Sequence, residues 1–179
     1  MKTDPIDASA WMLTSPLLAG IDDEHRLAIF RCLEMTSAPA GSTLLEQGRP
    51  NDRLWFVLDG SVAIERTMPG GRSEILARLT GPAIYGTTTF FRGSALSATI
   101  RASTPLTLGT LDHRAHDRLR LEDPRAAEAL ALSVVRVLSE RFDLLDDRLA
   151  ELMAEHDQDH PRATEWANFR ARLFEEPTL

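Results

Sequence analysis

The pattern of apolar and polar residues divides the chain into three zones, and the first zone is helical. In "GIDDEHRLAIFRCLEM" the residues Ile29, Cys32 and Leu33 recur at the i, i+3, i+4 spacing of one helix face. Asp22 and further acidic residues precede them, as is typical of a helix N-cap and first turn. The pattern predicts a short helix near the start of the chain, with Cys32 on its buried face.

The second zone, Ser37 to Asp112, has the pattern of short strands separated by turns. Asp59-Gly60 joins the two apolar runs of "RLWFVLDGSVAIERT", which is a strong hairpin signal. After this turn Val62 and Ile64 alternate with polar or small residues, so one face of the strand is expected to be buried. A second glycine-rich turn, Pro69-Gly70-Gly71, repeats the arrangement. The zone predicts a small antiparallel barrel or sandwich.

The third zone predicts a long helix that begins at Pro124, after an acidic cap. Its apolar residues keep the a/d spacing of a coiled coil over about three heptads. They form a predicted dimer seam: Val135, Leu138, Phe142, Leu145, Leu149 and Leu152. A helix of this length cannot bury its whole stripe on a small barrel. Either the helix packs on its own domain or its outer half pairs with its twofold mate, and the length favours the second alternative.

Composition narrows the class of protein. Apolar residues make up 43% of the chain and the net charge is −7, which indicates an ordinary globular protein and a poor general ligand for phosphate backbones. Cys32 is the single cysteine, so a structural thiol is favoured over a reactive one and no internal disulfide can form. We see neither a signal peptide nor an apolar run long enough to span a membrane, so the expected location is cytoplasmic.

The order of these elements resembles the cyclic nucleotide-binding domain, which is the sensor of catabolite-activator and FNR-type regulators and of cyclic-nucleotide-gated kinases and channels. The resemblance covers roughly Pro16 to Leu152. Its marks are "PAGSTLLEQGRPNDRLWFVLDGSVAI", with Gly41, Gly48 and Gly60 at the family's turns, and "YGTTTFFRGSALSATIRA" at the family's phosphate-binding cassette. The resemblance implies an α+β, mainly β, fold: a jelly-roll-type β-roll with a short N-terminal helix and a long C-terminal helix.

Within the cassette, both charged positions of the family hold uncharged residues. The family's glutamate, which binds the ribose 2′-hydroxyl, corresponds to Thr87, and its arginine, which pairs with the cyclic phosphate, corresponds to Leu96. A buried phosphate without a cation costs about 3–5 kcal/mol, which weakens binding about 10² to 10³-fold. The candidate ligand pocket is therefore a degenerate cassette: Tyr85, Gly86, Thr87, Thr88, Thr89, Arg92, Leu96, Ser97 and Ala98.

Three interpretations of the cassette stay open. The threonines are expected to open a short helical turn whose free N–H groups can meet an anion, and Arg92 can turn inward, so that some cyclic-nucleotide binding remains. The pocket can instead take an uncharged or unusual ligand. The missing charges favour a third interpretation, in which small residues serve only the turns of the backbone. Phe90 and Phe91 then plug the ligand space or cap the core beside it.

Other chemical motifs are weak. A jelly roll also suggests a metal-binding cupin, but none of the five histidines lies between Thr43 and Arg101, where inward ligands would stand. His156 and His160 flank a polar stretch that favours a solvated linker over a metal site. His113 and His116 are expected at the surface, on a short helical turn. No nucleophile elbow, P-loop or C-x-x-C is present, so no metal, cofactor or enzyme activity is expected.

These observations predict four segments: a lead-in (1–15), the β-roll domain (16–121), a long dimerisation helix (122–155) and a tail with a short helix (156–179). The tail is shorter than a helix-turn-helix unit and acidic beside its helix, so direct DNA binding is not expected. The expected function is a non-catalytic regulatory or signalling module that does not bind cAMP or cGMP tightly and acts as a homodimer, with an unknown protein partner. The alternative is a sensor that binds a cyclic nucleotide or other small molecule in the β-roll pocket.

Overall fold

The computed structural model of the chain describes residues 18–156, except for the side chains of residue 149 and residues 152–156. The predicted lead-in and nearly all of the predicted tail lie outside the described residues. The helices of the described part are α1 (Asp23–Arg31), α2 (Thr87–Arg92), α3 (His113–Glu122) and α4 (Pro124–His156). The strands are β1 (Glu34–Ala38), β2 (Thr43–Leu45), β3 (Arg53–Asp59), β4 (Ser61–Thr67), β5 (Ser73–Thr80), β6 (Ala83–Tyr85), β7 (Thr99–Ala102) and β8 (Leu106–Asp112). The chain divides into two compact units between Val135 and Arg136.

The strands form two four-stranded antiparallel sheets, which confirms the predicted α+β, mainly β, jelly-roll class. One sheet has the order β1-β8-β3-β6 and the other has the order β2-β7-β4-β5. Apolar side chains from both sheets form one core cluster, which includes Val57 and Leu108 of the first sheet and Val62 and Ile100 of the second. Burial of this cluster is the main driving force that holds the sheets together.

The Asp59-Gly60 turn does not form the predicted hairpin, because β3 and β4 belong to different sheets. The turn carries the chain from one sheet to the other, and Gly60 has a φ of +90°. A Cβ at Gly60 would lie 2.3 Å from the carbonyl oxygen of Pro105. Close approach and a left-handed backbone thus require glycine here. The second predicted turn, around Pro69-Gly70-Gly71, does join two paired strands, β4 and β5.

Strand β4 is buried on both faces, although its alternating pattern predicts one buried face. Val62 and Ala63 point to opposite sides of the sheet, and both are buried. Ala63 lies directly between Arg101 of β7 and Arg78 of β5. Because residues opposite one another in antiparallel strands share a face, Ala63 stands between two arginines whose aliphatic stems are long enough to cover it.

Helix α1 ends earlier than predicted. Asp22 stands at its N-cap without a side-chain capping hydrogen bond, and Cys32 stands at its C-cap. Cys32 is half-buried, so its expected place on the buried face of a continuing helix is wrong. Leu33 packs against β8, since its Cδ1 lies 2.8 Å from where a Cβ of Gly109 would be. The chain leaves the helix at this point because it must enter β1.

The helical turn expected at His113 and His116 is a full helix that precedes the long one. Helix α3 runs to Glu122, and α4 begins at Pro124, as predicted, and continues to His156. Between them Asp123 accepts a hydrogen bond from the backbone N–H of Ala126 at 3.0 Å, so it caps α4. Its other carboxylate oxygen lies 2.9 Å from Nδ1 of His25 on α1. One side chain thus fixes the start of α4 and ties it to α1.

Asp123→Ala is expected to lower the free energy of unfolding by about 1–2 kcal/mol at neutral pH, because the α4 cap and the His25 contact are both lost. The hydrogen bond from His25 holds the pKa of Asp123 below its ordinary value of 3.8. The stabilisation is therefore complete above that value and disappears as the pH falls through the lower folded pKa.

Urea unfolding at a fixed protein concentration, repeated from pH 7 down to acidic pH, checks this expectation. The difference between the native chain and the variant should shrink on acidification. Asp59→Asn is the control, because an exposed asparagine before glycine preserves the turn. A difference in unfolding free energy that does not change with pH would show that the charge of the Asp123 carboxylate is not what stabilises the fold.

Candidate functional site

The cassette begins with a left-handed glycine and continues as the short helix α2. Gly86 is the N-cap of this helix, with a φ of +79°. A Cβ at this residue would lie 2.7 Å from the carbonyl oxygen of Arg53 and 2.9 Å from Nδ2 of Asn51. The expectation that the threonines open a short helical turn is confirmed, since α2 starts at Thr87. The tight turn at Gly86 places this helix directly after β6.

A hydrogen-bond network holds the cassette helix to strand β3. Asn51 donates through Nδ2 to the Arg53 carbonyl oxygen at 2.7 Å and to Oγ1 of Thr89 at 2.9 Å. The Thr89 hydroxyl donates in turn to the carbonyl oxygen of Gly86 at 3.0 Å. Trp55 donates through Nε1 to Oδ1 of Asn51 at 3.1 Å. No pattern in the sequence singles out Asn51, and the network means that the Thr89 hydroxyl serves the fold.

The three threonines of α2 have different environments. Thr87 and Thr89 are buried, whereas Thr88 is exposed. Thr87 occupies the position that corresponds to the family's glutamate, and a hydroxyl there carries no charge for a ribose contact. The first turn of α2 therefore contains neither a carboxylate nor a cation.

Leu96 contributes buried carbon to the cassette where the resemblance places an arginine. Its side chain is 8% exposed. Its backbone N–H donates to the carbonyl oxygen of Arg49 at 2.9 Å, and its carbonyl oxygen accepts from the N–H of Gly48 at 2.8 Å. Ala98 is also buried, and Ser97 between them is exposed. Backbone hydrogen bonds thus fix the end of the cassette to the turn at Gly48 and Arg49.

Two arginines have their backbone near Leu96: Arg92, four residues before it, and Arg49, whose carbonyl oxygen accepts its N–H. Both side chains are exposed. Arg92 at the end of α2 is exposed. Arg49 is 74% exposed at its side chain, and its Nε lies 3.5 Å from the carboxylate of Glu46. Neither guanidinium occupies the interior position that Leu96 fills, so the inward turn expected of Arg92 is not seen.

The rings of Phe90 and Phe91 meet edge-on at a centroid distance of 5.0 Å, but only Phe90 is buried. Phe90 is buried, and its ring stacks on that of His113 at a centroid distance of 4.2 Å and meets His116 edge-on at 5.5 Å. Phe90 therefore caps the core between α2 and α3. Phe91 is 48% exposed and lies beside this cap, edge-on to the rings of Phe90 and His116.

The expectation for the two histidines of α3 also needs correction. They lie on a ten-residue helix, whereas the sequence suggested a short helical turn. His113 is exposed, but His116 is half-buried, and burial lowers the pKa of His116 from its ordinary value. Both imidazole rings pack against the Phe90 ring of α2, at distances typical of stacked and edge-on rings.

Tyr85 places a polar group in the apolar interior of the β-roll. The residue is 2% exposed and stacks on Trp55 with a centroid distance of 5.8 Å. Within the described residues its hydroxyl has no hydrogen-bond partner, and burial raises the pKa of the phenol above its ordinary value. A buried hydroxyl without a partner is costly, so the interior offers an unsatisfied donor next to the cassette.

Comparison with known proteins assigns the family. The model of the family described as the cyclic nucleotide-binding domain matches residues 35–123. The solved N-terminal domain of a transcriptional regulator from Streptomyces coelicolor is 31% identical, with a TM-score of 0.64, and the match covers 74% of this chain and 95% of that domain. The chain belongs to the cyclic nucleotide-binding domain family. The resemblance found in the sequence is thereby confirmed.

Two further relatives place this cyclic nucleotide-binding domain among those of CRP-like regulators. A CRP-like cAMP-activated global transcriptional regulator from Mycobacterium tuberculosis is 25% identical over 137 residues, which are 76% of this chain and 59% of that protein. The catabolite activator protein of Thermus thermophilus is 28% identical, with a TM-score of 0.65 and coverage of 76% of this chain and 63% of that one. The chain thus spans less than two thirds of the length of these relatives.

In this cyclic nucleotide-binding domain the predicted dimer seam is largely exposed. The relative exposures are 57% for Val135, 48% for Phe142 and 63% for Leu145. Leu138 is half-buried, and the side chains of Leu149 and Leu152 lie outside the described residues. Among the described side chains, large apolar residues at heptad spacing thus leave an exposed stripe along α4.

No group of three or more histidine, cysteine, aspartate or glutamate side chains stands close enough to hold a metal ion in the described part of the cyclic nucleotide-binding domain. His160, one of the two histidines considered for a metal, lies outside that part. Within residues 18–156 no helix is both long and apolar enough to cross a bilayer.

Proposed function

We propose that this chain is a non-catalytic regulatory module of the cyclic nucleotide-binding type, whose cassette does not hold cAMP or cGMP tightly. The observation that carries the proposal is the buried Leu96, which occupies the position of the family's phosphate-binding arginine. A cyclic phosphate would bring a full negative charge against aliphatic carbon. The relatives from M. tuberculosis and T. thermophilus support the regulatory role, because the first is named a transcriptional regulator and the second a catabolite activator protein.

The surroundings of Leu96 offer little compensation for the missing cation. Arg92 is exposed, and Arg49 is exposed and lies near Glu46. To meet a phosphate at the Leu96 position, either side chain would have to give up its solvation and enter an apolar site. Thr87 is buried at the position of the family's glutamate, so the ribose contact also lacks its carboxylate.

Isothermal titration calorimetry with cAMP, cGMP and cyclic dinucleotides tests the proposal. We expect no binding tighter than about 100 µM, since the loss of the arginine weakens binding on the order of 10² to 10³-fold. Binding of any of these nucleotides with micromolar affinity would overturn the proposal, and it would show that another group neutralises the phosphate.

We also propose that the module forms a homodimer through α4. The support is the exposed apolar stripe of Val135, Phe142 and Leu145, whose heptad spacing suits a two-stranded coiled coil. A partner helix would cover this stripe and remove apolar area from water. Contact with a further protein, through which a module without tight ligand binding would act, is part of the same proposal.

Phe142→Glu is expected to shift the chain from dimer to monomer, because a carboxylate at an a position would be buried against its twofold mate. Sedimentation velocity at tens of micromolar protein checks the shift. Glu140→Ala, on the outer side of the same helix turn, is the control and should remain dimeric. A native chain that sediments as a monomer would refute the seam.

Three further parts of the proposal concern chemistry and location. The module is not expected to be an enzyme, since its family match is to a regulatory domain. It is not expected to bind DNA directly, because a net charge of −7 opposes contact with phosphate backbones. The cytoplasm is its proposed location.

A second candidate function is a small-molecule sensor, and the Tyr85 hydroxyl favours it. This hydroxyl is buried and has no partner within the described residues. A neutral ligand with a hydrogen-bond acceptor would satisfy it without bringing a charge near Leu96. A screen of uncharged metabolites by thermal shift, with Tyr85→Phe as the matched variant, separates this function from the first. A ligand whose stabilisation disappears in the variant would establish the sensor.

A further inference from the structure

A cavity of about 390 Å³ lies away from the cassette, between the end of α1, strands β1 and β8, and the first turns of α3. None of the cassette residues lines it. Three arginines do: Arg31 from the end of α1, and Arg114 and Arg118 from α3. Its volume falls within the range typical of small-molecule sites. Three exposed arginines thus stand around one opening, together with the carboxylates of Glu34 and Asp112.

The carboxylates on the wall of this cavity already have partners. Glu34 forms an ion pair with Arg53, with 2.5 Å between the carboxylate oxygen and Nη1. Asp112 accepts a hydrogen bond at 2.8 Å from the backbone N–H of Ala115 and caps α3. Over residues 18–156, none of the ion pairs involves the three arginines that line the cavity. The wall thus presents three guanidinium groups outside these ion pairs against two carboxylates, so its charge is positive on balance.

A neighbouring cavity shows where the positive charge is strongest. It has a volume of about 510 Å³ and shares Arg31 and Arg118 with the first, but its wall also includes Glu24, Glu122 and Asp123. Three carboxylates stand against two arginines on that side, whereas two carboxylates stand against three arginines in the 390 Å³ cavity. Arg114 lines only the 390 Å³ cavity, so an anion is attracted more strongly there.

The arginines of α3 are placed against the electrostatic preference of the helix. Arg114 lies in the first turn, where the partial positive charge of the helix end disfavours a cation. Arg118 stands four residues later, on the same face, where like charges repel each other. Local conflicts of this kind are expected at functional sites, and a bound anion would remove both.

We propose that this cavity binds a small metabolite that carries a phosphate monoester or a diphosphate group. Guanidinium groups hold phosphate oxygens through paired, charge-assisted hydrogen bonds, and three of them can surround one such group. The site is separate from the cassette, so the metabolite would bind to this module independently of cyclic nucleotides.

Calorimetry with inorganic pyrophosphate as the probe, at constant ionic strength, tests the proposal. The native chain should bind pyrophosphate, and R114Q/R118Q should weaken the binding at least tenfold. R31Q, which changes a different element, should weaken it as well, so the result does not depend on the folding of one variant. R92Q and R72Q are the controls: the first removes the cassette arginine, the second removes an exposed hairpin arginine, and both should bind as the native chain does.

Alkylation of Cys32 gives a second readout that reports the location of the probe. Cys32 is the single cysteine of the chain and lines this cavity. Pyrophosphate should slow its reaction with the uncharged reagent iodoacetamide, measured by mass spectrometry, and should not slow it in R114Q/R118Q. No binding at millimolar pyrophosphate, equal loss of binding in R72Q, or binding that leaves the alkylation rate unchanged would each overturn the proposal.

Discussion

Leu96→Arg is expected to tighten cAMP binding on the order of 10²-fold, because it returns a guanidinium to the position of the cyclic phosphate. The backbone at this residue is already fixed by hydrogen bonds to Gly48 and Arg49, so the new side chain starts from an ordered segment. The gain comes from a charge-assisted pair in a site that excludes water. Calorimetry on the variant and the native chain, with the same nucleotide, measures it.

Two companion variants make this result interpretable. Leu96→Met keeps the apolar character and the approximate volume, so it should bind no better than the native chain. Leu96→Arg combined with Thr87→Glu should bind more tightly than the single variant, since it also supplies the ribose contact. Because Leu96 is buried, urea unfolding must show that each variant is folded. A folded double variant without measurable binding would mean that charge is not what the cassette lacks.

Gly86→Ala is expected to lower the free energy of unfolding by about 3 kcal/mol. At a φ of +79° an alanine is strained, and its Cβ would stand 2.7 Å from the carbonyl oxygen of Arg53. The obstacle is backbone, which cannot rotate away as a side chain can. The same Cβ would displace Asn51, and the hydrogen bonds that hold α2 to β3 would be lost with it.

Gly93→Ala, at the other end of the same helix, is the matched control. Its φ is +69°, but a Cβ there meets nothing within 4 Å. Only the backbone strain remains, so the expected loss is about 1 kcal/mol. Equal losses in the two variants, measured by urea unfolding, would show that the contact with Arg53 does not matter.

The fold class was predictable from the sequence because the signals are local. Short apolar runs between glycine-rich turns predict strands, and Pro124 after an acidic residue predicts the start of α4. The choice of strand partners depends on contacts between distant residues. The Asp59-Gly60 turn therefore looked like a hairpin, although it carries the chain between the two sheets.

The candidate site was predictable only in part. The two missing charges, at Thr87 and Leu96, can be found by reading the cassette against its family. The role of Asn51 could not be found in this way, because its partner Thr89 lies 38 residues further along the chain. Likewise, the stack of Phe90 on His113 joins two helices that the sequence shows only as separate patterns.

The same stack has a mechanical consequence. Phe90 holds the cassette helix against α3, which ends at Glu122, and Asp123 connects it to the start of α4. A displacement of α2 would therefore move α3 and, with it, the start of α4, without any contact between a ligand and α4. Because such coupling is reciprocal, a protein that bound to α3 would also change the conformation of the cassette.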